Sequence, residues 1–384
     1  FKRCPINFKA KFGIDYEQME PSLVRTDEVK RICYWYKHAY SGTMLSCGIL
    51  EASRFTCVFG GNDSYIYTSI KGINLLSCLK NTDWLAQPQK LVSIAELRQL
   101  LKDPDTELKI PEASDYLKWL EQTYTDSKEC TVLELFKGYF IYRSRENLVR
   151  CRITPILVFD PHIWECNLYN ELIHQFPYCT VLTCMRNPIT VFGRGYEYGL
   201  IGWDKFQTQY ILASDYCHAE FLSERLKEHY WGFRFEDLKT MPEVTIRGIC
   251  RVLNIPFEKS MLEVDVPMTD RTGNTVHGFD QTPLKHDISR VLSDFDQIRL
   301  KIFYAPILQY YGYPQFPFNI HPMSEQLIRE MLQVPFCFEA YNDKLFLNAP
   351  SKQELHNWMQ EVLQGCLGKT AFFPKLIRVE EKPN

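Results

Sequence analysis

No two of the 14 cysteines in this 384-residue chain stand at CxxC spacing. The nearest pair, Cys179 and Cys184, is separated by four residues. Zinc-ribbon and thioredoxin-like chemistry is therefore disfavoured, and no dense disulfide framework is expected. Scattered thiols of this kind fit a reducing compartment, so the expected location is cytoplasmic. No stretch approaches the roughly 18 apolar residues that a membrane-spanning helix needs, and FKRCPINFKAKFG at the start holds no continuous apolar segment. No transmembrane segment is expected. Charges nearly cancel, with 44 Lys and Arg against 47 Asp and Glu and a formal net charge of -3. That balance excludes a general attraction to nucleic acid, and any anion site must be local. Internal repeats and low-complexity runs are absent too.

What is present fits an ordinary globular protein: 45% hydrophobic and 24% charged residues, over a length sufficient for one large α/β domain with extensions. VKRICYWYK (29–37) has the β-branched and aromatic content of a buried strand, HAYSGT is a turn, and MLSCGILEAS has helical spacing. TPILVFDPH (154–162), TVLTCM (180–185) and the start of YWGFRFEDL (from 230) are further strands, with helical ECNLYNELIHQF between the first two. Strands alternating with helices predict a central, mostly parallel sheet. SIAE (93–96), with capping-box spacing, and the amphipathic SDYLKWLEQTY from Ser114 predict a helical insertion at about 90–150. A long helix is expected from about Phe206 to His229. Thr240 and Glu243 form a capping pattern around Pro242, opening EVTIRGICRVLNI, and FDQIRLKIFYAPILQYYG is expected as one helix stopped by Gly312. Pro-rich PQFPFNIHP (314–322) reads as a boundary. Beyond it, FCFEAY and KLFLNA flank an Asn-Asp turn, and SKQELHNWMQEVLQ is a capped helix ended by Gly365. The expected division is an N-terminal extension (1–28), a main domain (29–313) and a small α+β C-terminal extension (314–384).

The turn at Ser41, Gly42 and Thr43 places hydroxyls and a glycine between a strand and a helix N-terminus, a geometry suited to an anion. It is not a nucleotide-hydrolysing loop, because GxxxxGK[ST] requires a lysine and a leading glycine that are missing here. Arg186 in MRNP stands at the carboxyl end of a strand, where open α/β sheets gather ligands. Arg271 in RTGNTVHGFD lies beside Gly273 and Gly278. Taken together, these three elements point to separate grips on one polyanionic ligand. Asp215, His218 and His229 form no convincing metal set, His286 and Asp287 have no nucleophile beside them, and Gly60, Gly61 and Asn62 read as a turn. No metal is expected.

In this order AYSGTML, CMRNP, FRFEDLKTMPEVTIRGICRVLNIPF and RTGNTVHGFD resemble the sulfotransferase family that uses 3′-phosphoadenosine 5′-phosphosulfate (PAPS), over about residues 29–313. The resemblance implies a P-loop-like three-layer α/β fold and PAPS as co-substrate. It places Tyr40, Ser41, Gly42, Thr43 and Met44 at the 5′-phosphosulfate, Arg186, Arg194, Arg271, Thr272 and Gly273 at the 3′-phosphate, and Phe235 near adenine, with Trp231 a looser aromatic candidate. His162, just after a strand, is the implied base. Lys37 or His38 could replace the loop cation for which Tyr40 stands, Met44 replaces a hydroxyl residue, and Phe159 or Asp160 stands for a lysine. Arg194 takes the place of a serine. The implied reaction is sulfuryl transfer to a hydroxyl or amine of a small-molecule or glycan acceptor: carbohydrate, lipid or sterol-like, or phenolic. The altered loop keeps a second reading open, a catalytically degenerate nucleotide-binding or scaffold protein.

Overall fold

The structure is a computed structural model. It describes residues 26, 29–36, 41–59, 83–102, 118, 129–138, 156–159, 171–198, 222–264, 268–269, 275–285, 287–289, 291–314, 324–337, 351–367 and 372–378. In chain order the strands are β1 (Arg31–Tyr36), β2 (Thr56–Phe59), β3 (Leu91–Ser93), β4 (Glu129–Thr131), β5 (Ile156–Phe159), β6 (Tyr178–Met185), β7 (Tyr230–Arg234), β8 (Met268–Thr269), β9 (Thr275–Val276) and β10 (Lys375–Leu376). The helices are α1 (Thr43–Glu51), α2 (Ile94–Lys102), α3 (Pro188–Tyr198), α4 (Glu224–Glu228), α5 (Phe235–Thr240), α6 (Pro242–Leu253), α7 (Asp294–Phe303), α8 (Ala305–Tyr311), α9 (Glu325–Gln333) and α10 (Lys352–Cys366).

A mostly parallel central sheet, flanked by helices, has the strand order β10-β7-β6-β1-β5-β2. This is the α/β class expected from the alternation of strands and helices. The apolar runs explain the strands: β1 is buried at every position but Arg31, and β6 is buried from Val181 to Met185, the continuous pattern of strands covered on both faces. β6 and β7 pair in parallel from Val181↔Tyr230 to Met185↔Arg234. Because of that register, the residues just past each strand, Arg186 and Phe235, leave the sheet at the same level.

The chain divides into two compact units. The first comprises 1–33, 50–159 and 171–179. In it β2 and β5 pair in parallel from Thr56↔Ile156 to Phe59↔Phe159, and β3 and β4 form an antiparallel ribbon within the region expected as a helical insertion. Ser93 and Glu96 make the expected reciprocal cap on α2. A second box, Thr131 with Glu134, caps the helix at 132–138.

The second unit comprises 34–49, 160–170 and 180–384, so residues 314–384 fall within it. Its core joins Met185 and Phe192 to Leu300, Tyr304 and Leu308, and to Leu332, Leu355, Met359 and Leu363. Pro188 opens α3 at a position where its missing N–H costs nothing, and the Asn187 side chain accepts the Ile189 N–H at 3.0 Å. α6 ends on Asn254 in the left-handed conformation, φ 49°, with the Ile255 N–H on the Cys250 carbonyl at 2.9 Å.

Three local expectations differ from the structure. The segment expected as one helix from Phe295 breaks at Tyr304, between α7 and α8; Pro306 has no N–H with which to continue the ladder. Gly312 does end α8, at φ 68°. Thr240 does not cap α6, because its hydroxyl donates backwards to the Glu236 carbonyl at 2.8 Å, and Pro242 starts the helix instead. α10 is capped, as expected, by a reciprocal box of Ser351 and Glu354 that the structure shows, but it runs through Gly365 to Cys366. Of the long helix expected before His229, the described part is α4, capped by Ser223. The Ser114 helix, apart from Lys118, and the paired strands expected after Phe336 lie outside the described residues. No described helix is long and apolar enough to cross a membrane.

Candidate anion site

The site lies in the second unit, where β1 leads to α1. Ser41 is buried, Gly42 has φ +82°, and α1 begins at Thr43. The Ser46 N–H makes the first helical bond, to the Gly42 carbonyl at 3.1 Å, and the Ser46 hydroxyl also donates there at 3.2 Å. The N–H groups of Thr43, Met44 and Leu45 therefore precede the ladder, at the positive end of the helix. Two constraints select Gly42. Its φ is left-handed, and a Cβ there would stand 2.4 Å from Cδ2 and Cε2 of Phe235.

Phe235 is the hub of the site. It follows β7 directly and is only 1% exposed. One edge faces Gly42, and the Arg186 guanidinium carbon lies 4.9 Å from the ring centroid. Lys239, one turn further along α5, places Nζ 5.5 Å from the same centroid. Both cations reach one loop: Arg186 Nη2 donates to the Pro283 carbonyl at 2.7 Å and Lys239 Nζ to the Gly278 carbonyl at 2.5 Å. Arg186 is 6% exposed and Lys239 1%. Burial lowers the Lys239 pKa to about 8; Asp280 pulls it back up and the neighbouring Arg186 charge pushes it further down.

Glu236 ties the strand ends together. It accepts the Asn187 N–H at 3.0 Å, and the Tyr313 hydroxyl lies 2.8 Å from its other oxygen. The same hydroxyl is 3.1 Å from the Met185 carbonyl, and the Arg234 guanidinium packs 4.6 Å over the Tyr313 ring. Burial and then Glu236 push the Tyr313 phenol well above its ordinary pKa. The peptide that carries Arg186 is thus held on both sides.

The structure therefore brings together Ser41, Gly42, Thr43, Phe235 and Arg186, with Met44 half-buried in the first turn of α1. Phe235 is enclosed by Gly42, Arg186 and Lys239, whereas the family resemblance places it beside adenine. Trp231 sits on β7, under the Lys375 ammonium at 5.5 Å. Lys37, His38, Tyr40, His162, Arg271, Thr272 and Gly273 lie outside the described residues. The backbone of Arg194 belongs to α3, and its side chain lies outside them. Sequence reasoning did not identify Lys239, Glu236 or Tyr313. For Lys239 and Glu236 the one signal was their place in FEDLK, the segment that Phe235 opens.

Fold and geometry together define an α/β protein in which a helix N-terminus, a buried phenylalanine and two buried cations meet at the ends of neighbouring strands. Compared with known proteins, the chain matches no family model and no curated protein. Among solved structures it is similar to the sulfotransferase domain from the Synechococcus PCC 7002 olefin synthase, at 13% identity over 78% of this chain and 100% of that one, with a TM-score of 0.42. It is also similar to the sulfotransferase domain from the curacin biosynthetic pathway, at 18% identity over 80% and 99%, TM-score 0.38. A third is sulfotransferase STF9 from Mycobacterium avium, at 8% identity over 84% and 79%, TM-score 0.30. The likeness is distant and concerns the fold.

Proposed function

We propose that this chain is a sulfotransferase, taking the sulfuryl group from PAPS and passing it to a hydroxyl or amine of a small-molecule or glycan acceptor. The observation that carries the proposal is the Phe235 ring, which joins the Ser41–Gly42–Thr43 turn to Arg186 across two strand ends. A helix N-terminus and a buried guanidinium on either side of one ring suit a ligand with two anionic ends.

Bound PAPS supplies the activated sulfuryl group. The first-turn N–H groups of α1, with the Ser41 and Thr43 hydroxyls, hold the 5′ end and stabilise negative charge growing on the phosphate oxygen as its bond to sulfur breaks. Arg186 holds the 3′-phosphate and fixes the line of attack. His162 accepts the acceptor proton as the acceptor oxygen or nitrogen bonds to sulfur. The free thiols at Cys33, Cys130, Cys184, Cys250 and Cys337 favour a reducing, cytoplasmic setting.

Calorimetry with adenosine 3′,5′-bisphosphate tests the assignment. Saturable binding that weakens roughly 10- to 100-fold in Arg186→Ala is expected from loss of a charge-assisted bond; absence of binding at millimolar ligand removes the proposal. His162→Ala should abolish turnover and keep nucleotide affinity. The replacements Tyr40 and Met44 favour a second reading, a degenerate binding protein, which predicts nucleotide binding with no sulfuryl transfer to any acceptor class.

A further inference from the structure

Two consecutive residues grip Arg186 at both ends. Among its contacts, the guanidinium covers the Phe235 ring at 4.9 Å, while Glu236 accepts the N–H of the next residue, Asn187, at 3.0 Å. The other flank is held as well. The Tyr313 hydroxyl, which has one proton and two oxygens within reach, stands 2.8 Å from the second Glu236 oxygen and 3.1 Å from the Met185 carbonyl. One carboxylate and one phenol therefore bond the two peptide groups that meet at the Arg186 Cα. The β6–β7 pairing ends at Met185↔Arg234, so from Arg186 onward Glu236 and Tyr313 continue the bonding that the ladder has stopped supplying. Asn187 is fixed on its far side too, where its side chain accepts the Ile189 N–H at 3.0 Å.

Tyr313 is brought to this place by the end of α8. Gly312, at φ 68°, turns the chain out of the helix, and the Tyr313 N–H returns to the Leu308 carbonyl at 2.8 Å. The Arg234 guanidinium covers the ring at 4.6 Å, and the residue is only 4% exposed. Phenylalanine would fill the same space. What the hydroxyl adds is its bond to the strand end, and burial followed by Glu236 pushes the phenol well above its ordinary pKa, so it stays a donor through the neutral range. A long side chain is only as well placed as the backbone that carries it.

We propose that Tyr313 and Glu236 are positioning residues for Arg186: by holding the peptides on either side of it, they set where its guanidinium meets the 3′-phosphate of the nucleotide, without touching the ligand themselves. This rests on the nucleotide reading above. Paired bonds from a guanidinium fork to a phosphate depend on angle as well as distance, so a small shift at the base of the side chain weakens both. The loss falls on the 3′ end, because the 5′ end is assigned to the α1 turn.

Calorimetry of the full chain tests this by comparing adenosine 3′,5′-bisphosphate with adenosine 5′-monophosphate, which lacks the 3′-phosphate. Tyr313→Phe should bind the bisphosphate about five- to tenfold more weakly, leave monophosphate affinity unchanged, and add nothing to the loss in Arg186→Ala. Glu236→Gln keeps an oxygen for the Asn187 N–H and should stay within a few-fold of the wild type; Glu236→Leu should lose at least as much as Tyr313→Phe. A purely structural pair predicts lower melting midpoints with unaltered bisphosphate affinity. That result, an equal loss on both nucleotides, or a loss that adds to that of Arg186→Ala overturns the assignment and leaves the nucleotide reading standing. Should Glu236→Leu not fold, the cycle of Tyr313→Phe with Arg186→Ala decides. Thermal stabilisation by inorganic phosphate separates the two failures. If the bisphosphate does not bind, but phosphate stabilises the wild type more than Tyr313→Phe and Arg186→Ala, the nucleotide reading fails and the positioning role stands. If phosphate then acts on none of the three, or on all alike, both fall.

Discussion

Single residues fix the site through shape as much as through charge. Gly42 and Gly312 both have positive φ, at +82° and +68°, but a Cβ on Gly42 would meet the Phe235 ring at 2.4 Å and one on Gly312 would meet nothing within 4 Å. Gly312→Ala should therefore cost about 1 kcal/mol, the strain of the backbone alone. Gly42→Ala should cost about 1–3 kcal/mol more, because a buried ring must move as well. Denaturant titration compares them, and equal losses would show that the ring gives way freely. Lys239 adds a pH dependence. Its folded pKa, about 8, lies below the ordinary 10.5, so between those values the unfolded chain binds more protons and stability rises with pH. Lys239→Met should abolish that rise in urea midpoints measured from pH 8 to 10.5. The turn at Ser41, Gly42 and Thr43 before a helix, and the place of Arg186 just past a strand, were legible in the sequence because both are set by short-range pattern. Lys239 was not, since FEDLK has the look of a solvated helix end and its burial depends on a loop carbonyl 39 residues away.

At the level of elements, short patterns succeed where nothing competes for their atoms. Ser93 with Glu96 and Ser351 with Glu354 close reciprocal boxes as their spacing predicts. Thr240 with Glu243 has the same spacing and fails, because α5 has already claimed the threonine as its last residue. Helix caps are thus readable only when the preceding chain is free. Ser351→Ala removes a cap on an exposed N-terminus and should cost about 1 kcal/mol in thermal unfolding; an unchanged midpoint would mean that α10 is held by its buried face alone, through Leu355, Met359, Val362 and Leu363. The main strands were legible for a similar reason, since β1 and β6 are continuous apolar runs. β10 was not. Two residues of strand after a proline leave no periodicity, and only β7 makes them a strand.

Across the whole chain, the second unit depends on sequence-distant parts. Residues 372–378 cover the free side of β7: Lys375 and Leu376 pair with Trp231 and Gly232, and the Ile377 N–H donates to the Gly232 carbonyl at 2.8 Å. Pro374 and Ile377 occupy the space that side chains at Gly232 and Gly248 would need, and Phe373 stacks on Tyr310 at 4.2 Å. Deleting 372–378 should lower the melting midpoint and produce concentration-dependent light scattering, because β7 would then be a bare edge; a deletion variant as stable and monodisperse as the parent would show the segment to be decoration. The Pro-rich stretch at 314–322 was conspicuous in the sequence, whereas the pairing that reaches past it was not, since hydrogen bonds between distant strands leave no local trace. One consequence concerns synthesis. A ribosome delivers β7 long before the strand that flanks it, so the nascent chain carries an open β7 flank until residue 377 emerges, and in that interval any foreign strand competes for the place its own chain will later take.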